Sequence, residues 1–141
     1  MFDLNYAKAV IAAEAAGVES MAQLIERPAF ELACRMVHEC SGSVIVTGVG
    51  KAGIVGQKIS GTLASTGTCS HFLHPTEAVH GDLGRVQNND IVLFLSHSGQ
   101  TDELLRLIEP LKQRAIKLLS IVGSAESRLA RYSDVALCMG K

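Results

Sequence analysis

Short apolar runs rich in β-branched residues alternate with helical segments from residue 43 to residue 139, and this alternation limits the fold more than any other feature. Each run has the length of a buried strand, and several end in glycine or serine. Strands that alternate with helices form a mostly parallel sheet with helices on both faces. We therefore predict an α/β fold, a three-layer sandwich around a five-stranded, mostly parallel sheet. The predicted strands are 43–47, 69–73, 90–95, 117–122 and 134–139; the predicted helices are 54–65, a segment around 104–111, and a short one opened by Ser124.

The first forty residues have the composition of helices. Residues 6–16 are rich in Ala, Glu and Lys, and Gly17 is expected to weaken or end that helix. Pro28 suits the first turn of a further helix because proline loses no hydrogen bond there. At 141 residues the chain has the length of one domain. We divide it into N-terminal helices (1–41) and an α/β core (42–141).

Charge and composition exclude several classes of function. Thirteen basic and fourteen acidic residues nearly cancel, so no basic surface for nucleic acid is expected. No apolar run approaches the roughly 18 residues that span a bilayer, and the N-terminus lacks the pattern of a secretion signal. We expect a cytoplasmic protein that binds neither membrane nor nucleic acid. Its cysteines form no CxxC pair, and their apolar flanks predict buried, reduced thiols: Cys34, Cys40, Cys69 and Cys138.

A glycine-rich loop follows the first predicted strand. Residues 48–53 (GVGKAG) match G-x-G-x-x-G, but the next strand lacks the acid that a dinucleotide site needs at its end. A P-loop also fails, because Ile45 stands where the first glycine is required and Ala52 follows the lysine. We therefore predict no nucleotide cofactor. What remains is a turn in which the backbone at Gly50 can approach a ligand, with Lys51 at its apex; the alternative is a solvated surface lysine.

A second loop, residues 96–101 (SHSGQT), joins the third predicted strand to a helix. A helix N-terminus offers free N–H groups and a positive dipole, so it attracts anions. Hydroxyl groups can add further donors to a phosphate, and this loop holds three, those of Ser96, Ser98 and Thr101. The alternative is ordinary helix capping by these hydroxyls, with Asp102 and Glu103 favouring the dipole.

A third segment, residues 71–82, contains five side chains that could bind a metal: His71, His74, Glu77, His80 and Asp82. Zinc accepts such ligands, but the helical i, i+4 pair of a zincin is missing. We therefore predict no metal. The histidines can instead act as acid–base groups, because imidazole titrates near neutral pH. The alternative is that they serve only as structural hydrogen-bonding groups.

Three stretches of the chain together resemble a SIS (sugar isomerase) domain, and most closely the arabinose-5-phosphate isomerase family. They are TGVGKAGIVGQKISGTLASTGT (47–68), FLHPTEAVHGDLG (72–84) and SHSGQTDE (96–103). The histidine segment discriminates best, because broader SIS proteins share only the hydroxyl loop. The resemblance implies interconversion of D-ribulose 5-phosphate and D-arabinose 5-phosphate, whose product feeds lipopolysaccharide synthesis. It also implies a homotetramer with shared active sites.

The family's functional positions fall on residues already singled out. Its phosphate loop matches Ser96, Ser98 and Thr101, and its lysine, acid and histidine match Lys51, Glu103 and His80. Family members often continue into paired CBS modules, and we expect none in this chain. The family's SIS domain also runs past Lys141 into a helical stretch that adds another Glu and a His.

The chemistry that this implies is proton transfer between two carbons through an enediolate, which needs no cofactor. We expect Glu103, buried in the site, to be the transferring base. Lys51 and His80 would stabilise the negative charge on the sugar oxygens, while Gly50 and His74 contact the substrate. Two alternatives stay open: an isomerase of another ketose phosphate, and a non-catalytic regulator that binds a sugar phosphate.

Overall fold

The computed structural model describes residues 2–25 and 28–140 of the chain. Lys141, at which the predicted core ends, lies outside these ranges. The helices are α1 (Leu4–Ser20), α2 (Ala22–Ile25), α3 (Pro28–His38), α4 (Gly50–Ser65), α5 (Pro75–Val79), α6 (Asp102–Gln113) and α7 (Arg128–Tyr132). The strands are β1 (Val44–Gly48), β2 (Ser70–Phe72), β3 (Ile91–Ser96), β4 (Lys117–Val122) and β5 (Val135–Cys138). A 3-10 turn, Asp82–Arg85, follows α5.

All five strands run parallel in the order β2-β1-β3-β4-β5. The predicted α/β class and the five-stranded sheet are therefore confirmed. The register places Val46 of β1 beside Phe72 of β2, and Gly48 of β1 beside Leu95 of β3. The carboxyl ends of β1, β2 and β3 consequently lie next to each other at one edge of the sheet, with β1 in the middle.

Alternation along the strands divides the core between two faces of the sheet. On one face Ile45 and Phe94 pack with the buried residues of α5, α6 and α7. On the other face Val44 and Val46 pack with α3 and α4. Because both faces are covered, the strands are apolar almost throughout, as is typical of parallel sheets. The division into helices 1–41 and core 42–141 stays a prediction.

Helix α1 differs from the other long helices because none of its residues is buried. It continues through Gly17, so the predicted weakening or end of the helix there is wrong. A glycine inside a helix costs only about 1 kcal/mol relative to alanine, and the alanines around Gly17 offset that cost. In the described ranges no helix is both long enough and apolar enough to cross a membrane.

One other boundary differs from the prediction. Helix α7 begins after Ser127, whose Oγ accepts a hydrogen bond from the N–H of Ala130 at 3.3 Å, rather than at Ser124. The hydroxyl of Ser124 accepts from the N–H of Glu126 instead, so Ser124 forms a turn ahead of the helix. A serine that closes a local turn looks the same in sequence as a serine that caps a helix.

The prediction of buried thiols is wrong for the isolated chain. Cys34 and Cys69 are exposed, and Cys40 and Cys138 are half-buried. Cys69 follows a turn at the edge of the sheet, where its Sγ lies 3.1 Å from the Oγ of Ser43. Apolar neighbours in sequence therefore do not bury a side chain that points away from the sheet. All four cysteines are free.

Candidate active site

The three predicted segments meet at the carboxyl edge of the sheet. The loop with Lys51 follows β1, the histidine segment follows β2, and the hydroxyl loop follows β3. The backbone ladder continues beyond β2, because the N–H of Leu73 donates to the carbonyl of Val46 at 2.9 Å. Ligands of open parallel sheets bind at this edge.

Lys51 lies in the first turn of α4, so its predicted place at the apex of a loop is wrong. The helix begins four residues before the predicted start because its glycines serve the packing. Gly50 has a φ of +58°, and a Cβ on Gly53 would lie 2.8 Å from the carbonyl oxygen of Gly48. The glycines therefore bring α4 close against the end of β1, as glycines do in other strand-to-helix turns.

The position of Lys51 is electrostatically unfavourable unless an anion is present. A cation in the first turn of a helix faces the positive end of the helix dipole, and the first turn of α4 has no acidic residue. Lys51 is exposed, and none of the ion pairs between described residues involves it. The N-cap residue, Val49, makes no side-chain cap bond, so N–H groups at this end also remain available.

The hydroxyl loop brings two of its three alcohols together. Ser96 is only 5% exposed, and its Oγ lies 2.9 Å from the Oγ1 of half-buried Thr101. The N–H of Gly99 donates to the same Ser96 Oγ at 3.1 Å. If Ser96 donates its proton to Thr101, the hydroxyl of Thr101 is free to donate outward. These bonds therefore form a directed chain that ends in a donor at the N-terminus of α6.

The third alcohol, Ser98, is exposed and lies on the outer side of the loop, where its Oγ accepts from the N–H of Gln100 at 3.2 Å. Thr101 is the N-cap residue of α6, but its side chain makes no cap bond. Among the described residues, helix capping by the hydroxyls of Ser98 or Thr101 is therefore not found. The first N–H groups of α6 remain open to an anion.

Gly99 fixes the shape of this loop. Its φ is +60°, and a Cβ there would collide with the side chain of Ser127. The carbonyl of Gly99 also accepts from the N–H of Leu129 at 3.0 Å, so the loop is bonded to the start of α7. Ser127 was not singled out in the sequence, because its contact with Gly99 joins residues far apart in the chain.

The two predicted histidines lie at opposite ends of α5. His74 is the N-cap, and its Nδ1 accepts from the N–H of Thr76 at 3.3 Å. His80 is the C-cap, and its imidazole is exposed. Helix α5 packs against α6, which places His80 and the start of the hydroxyl loop on neighbouring elements. An accepting Nδ1 places the proton of neutral His74 on Nε2, which can then donate to a ligand.

Glu103 lies in the first turn of α6 and is exposed, so the burial expected for it is not found in the single chain. Asp102 precedes it in the same turn and is also exposed. Both carboxylates favour the helix dipole, as the structural alternative requires. Neither takes part in an ion pair between described residues.

A further polar side chain, which the sequence did not indicate, lies below the loop. Thr47 of β1 is fully buried and pairs with Phe94, on the sheet face toward which Ser96 also points. Within the described part of the chain its Oγ1 has no hydrogen-bond partner. A threonine inside an apolar strand is usually counted as a strand former, so its sequence context carried no signal.

The described residues bring no three side chains of His, Cys, Asp or Glu into a group that could hold a metal ion. The histidine segment is spread along α5 and the 3-10 turn instead. The edge of the sheet therefore offers hydroxyl and N–H donors, a lysine, two imidazoles and a carboxylate. Such a set can bind an anion at one end of a molecule and move a proton at the other.

Comparison with known proteins identifies close relatives. The arabinose 5-phosphate isomerase KdsD of Salmonella typhi is 45% identical over 139 residues, which cover 98% of this chain and 42% of that protein. The arabinose 5-phosphate isomerase KpsF of Escherichia coli O6:H1 is 39% identical over 127 residues, 90% of this chain and 39% of that protein. The chain thus spans less than half the length of these relatives.

A solved structure agrees in fold and sequence. The protein c3406 of E. coli CFT073, solved in complex with arabinose 5-phosphate, superposes with a TM-score of 0.84 at 36% identity. The match covers 99% of this chain and 76% of that one. The model of the SIS domain matches residues 38–141, which include the whole sheet and all three segments at its edge. The chain therefore belongs to the SIS-domain family, as its motifs predicted.

Proposed function

We propose that this chain carries the catalytic domain of an aldose–ketose isomerase that interconverts D-ribulose 5-phosphate and D-arabinose 5-phosphate. The single observation that carries the proposal is the hydroxyl chain from Gly99 through Ser96 to Thr101, which ends in a donor at the N-terminus of α6. It fits a phosphate group, and the relatives matched over nearly the whole chain are named for a pentose phosphate.

The phosphate is bound by Thr101, Ser98 and the free N–H groups at the start of α6. Ser96 is too deeply buried to offer more than an edge to the ligand, so it mainly orients Thr101. Binding energy at this remote group positions the reacting carbons of the sugar. The same donors would hold the phosphate of another ketose, so the sugar itself must be read elsewhere.

The reacting end of the sugar lies toward Lys51, His80 and Glu103. Glu103 takes a proton from one carbon and returns it to the neighbouring carbon. Lys51 and His80 hydrogen-bond the two sugar oxygens and stabilise the negative charge of the enediolate. Gly50 and the Nε2–H of His74 contact the substrate. No redox or metal cofactor takes part in this sequence of steps.

The active site is shared between copies of the chain in a cytoplasmic homotetramer. Glu103, Lys51 and His80 are all exposed in one chain, whereas proton transfer needs a site that excludes water. One turn after Lys51 on α4, Ile54 and Val55 are 68% and 54% exposed. These apolar side chains beside the lysine give a neighbouring copy a surface to cover. The product would supply lipopolysaccharide synthesis.

The test compares two carboxylates in the same helical turn. Purified chains carrying Glu103→Gln or Asp102→Asn are assayed for interconversion of ribulose 5-phosphate and arabinose 5-phosphate. Loss of a general base lowers turnover by about 100-fold or more, whereas loss of a neighbouring charge does not. We expect Glu103→Gln to fall by that factor and Asp102→Asn to stay near the parent. Both variants lose similar helix-dipole stabilisation, so stability does not separate them.

Near-normal turnover in Glu103→Gln contradicts the role of Glu103. If the parent chain gains thermal stability with either sugar phosphate but forms no product, it is a sugar-phosphate-binding regulator rather than an enzyme. If it isomerises a different ketose phosphate and not these, the substrate assignment is wrong and the reaction class stands.

A further inference from the structure

The apolar surface of α1 has no counterpart within the described part of its own chain. Leu4, Ile11 and Val18 follow each other at seven-residue spacing, so they form one stripe along the helix. They are 71%, 70% and 70% exposed. A helix whose apolar residues face solvent along its whole length is normally covered by another element. In α1 none of the seventeen residues is buried.

An apolar groove of about 340 Å³ lies next to this helix in the fold. It runs between α2 and α3 on one side and the carboxyl ends of β4 and β5 on the other. Its lining includes Leu24, Phe30, Ile121, Leu137 and Met139. Charged side chains are absent from its described lining. A groove of this kind favours the apolar face of a helix.

The chain cannot place α1 in its own groove. Only Met21 separates α1 from α2, and its backbone is itself helical, with φ −69° and ψ −20°. Met21 also lines the groove. Because a single residue in helical conformation leaves no slack, α1 continues outward from α2 and carries its stripe beyond its own surface.

We propose that the occupant of this groove is α1 of a second copy of the chain. Each chain carries both an uncovered apolar helix and an empty apolar groove, which is the condition for a reciprocal two-fold interface. Helix α1 is about 25 Å long, so its stripe and the groove together offer on the order of 800 Å² per partner, the size of a standard interface. The two surfaces are continuous through Met21, so one docking event covers both.

The surface formed by Ile54 and Val55 is a different one, on α4. The α1 interface therefore does not depend on the proposed reaction, and its tests read mass and cross-linking rather than turnover. A tetramer with two-fold symmetry needs two distinct interfaces, and these two surfaces would supply them.

The first experiment measures the mass of the full chain by sedimentation over a range of concentrations. We expect the parent to have at least twice the 15.0 kDa of one chain. Ile11→Glu places a charge in the stripe, whereas Ala13→Glu places the same charge on the opposite side of α1. We expect Ile11→Glu to raise the dissociation constant by at least about 10-fold and Ala13→Glu to leave it unchanged. Because Ile11 is 70% exposed, circular dichroism should show both variants folded.

The second experiment locates the contact with a native thiol of the groove, Cys138. In a chain whose other cysteines are replaced by serine, a cysteine is introduced at Leu4, Ile11 or Val18 and treated with a short bismaleimide. We expect at least one of these three to give a cross-linked dimer that disappears when Cys138→Ser is added. A parent that stays monomeric, equal effects of the two glutamates, or cross-links confined to one chain would overturn the proposal.

Discussion

Replacing Gly99 with alanine tests whether the hydroxyl loop is held in place by its contact with α7. The φ of Gly99 is +60°, and its missing Cβ faces the side chain of Ser127. Gly50 is the matched control, because its φ is +58° but nothing lies within 4 Å of its missing Cβ. The two glycines therefore share a left-handed φ and differ in the space around the missing Cβ.

The magnitudes follow from that difference. The left-handed conformation costs an alanine about 1–2 kcal/mol at either position. At Gly99 the overlap with Ser127 adds roughly 1–3 kcal/mol, the usual cost of overpacking. Ser127 cannot move aside freely, because it is 3% exposed and its Oγ caps α7. We expect Gly99→Ala to lower the free energy of unfolding by about 3 kcal/mol and Gly50→Ala by about 1 kcal/mol.

A second substitution isolates the steric part. Glycine at an N-cap costs only a few tenths of a kcal/mol relative to serine, so Ser127→Gly alone should change stability little. Combined with Gly99→Ala it removes the colliding atoms. We expect the double variant to recover most of the overlap term and to approach the stability of Gly50→Ala.

Urea unfolding followed by circular dichroism measures these free energies, at one protein concentration because assembly adds to the apparent stability. If Gly99→Ala and Gly50→Ala cost the same, the contact with Ser127 does not constrain the loop. A double variant that is no more stable than Gly99→Ala alone would lead to the same conclusion.

Three shorter predictions concern the site. Lys51→Met should abolish most turnover yet leave stability unchanged or higher by up to about 0.5 kcal/mol in urea unfolding, because it removes a cation from the positive end of α4; a clear loss of stability would show that Lys51 has a structural partner. Thr101→Val should weaken arabinose 5-phosphate binding about 10-fold in calorimetry, more than Ser98→Ala does, because it removes the last donor of the hydroxyl chain; equal effects would contradict that chain. Treatment with EDTA should leave turnover unchanged, and a loss restored by zinc would contradict the cofactor-free mechanism.

The fold could be predicted because its signals are local. The runs from Val44 and from Ile91 are apolar on both sides of the strand, which only a sheet covered on both faces accommodates. The start of α4 could not be predicted in the same way. Gly50 and Gly53 disfavour a helix on propensity alone, and their value appears only when Gly53 meets Gly48 across the turn.

The candidate site was predictable to a similar degree. The residue types at the ends of β1, β2 and β3 indicated which loops matter, because parallel strands bring those ends to one edge. The order of hydrogen bonds within the loop could not be read from SHSGQT, since any of its alcohols can cap, donate or accept. The exposure of Glu103 was missed for a related reason: a short polar segment does not reveal what covers it.

The short helix α5 joins the fates of its two imidazoles. His74 and His80 occupy its opposite ends, and buried Pro75 and Ala78 fix it to the rest of the molecule. A segment of little more than one turn has no interior that could stay folded while one end unwinds, so both rings would arrive and depart as a pair. Enlarging Ala78 would then act like a simultaneous loss of both histidines, although the altered atom touches neither ligand nor ring.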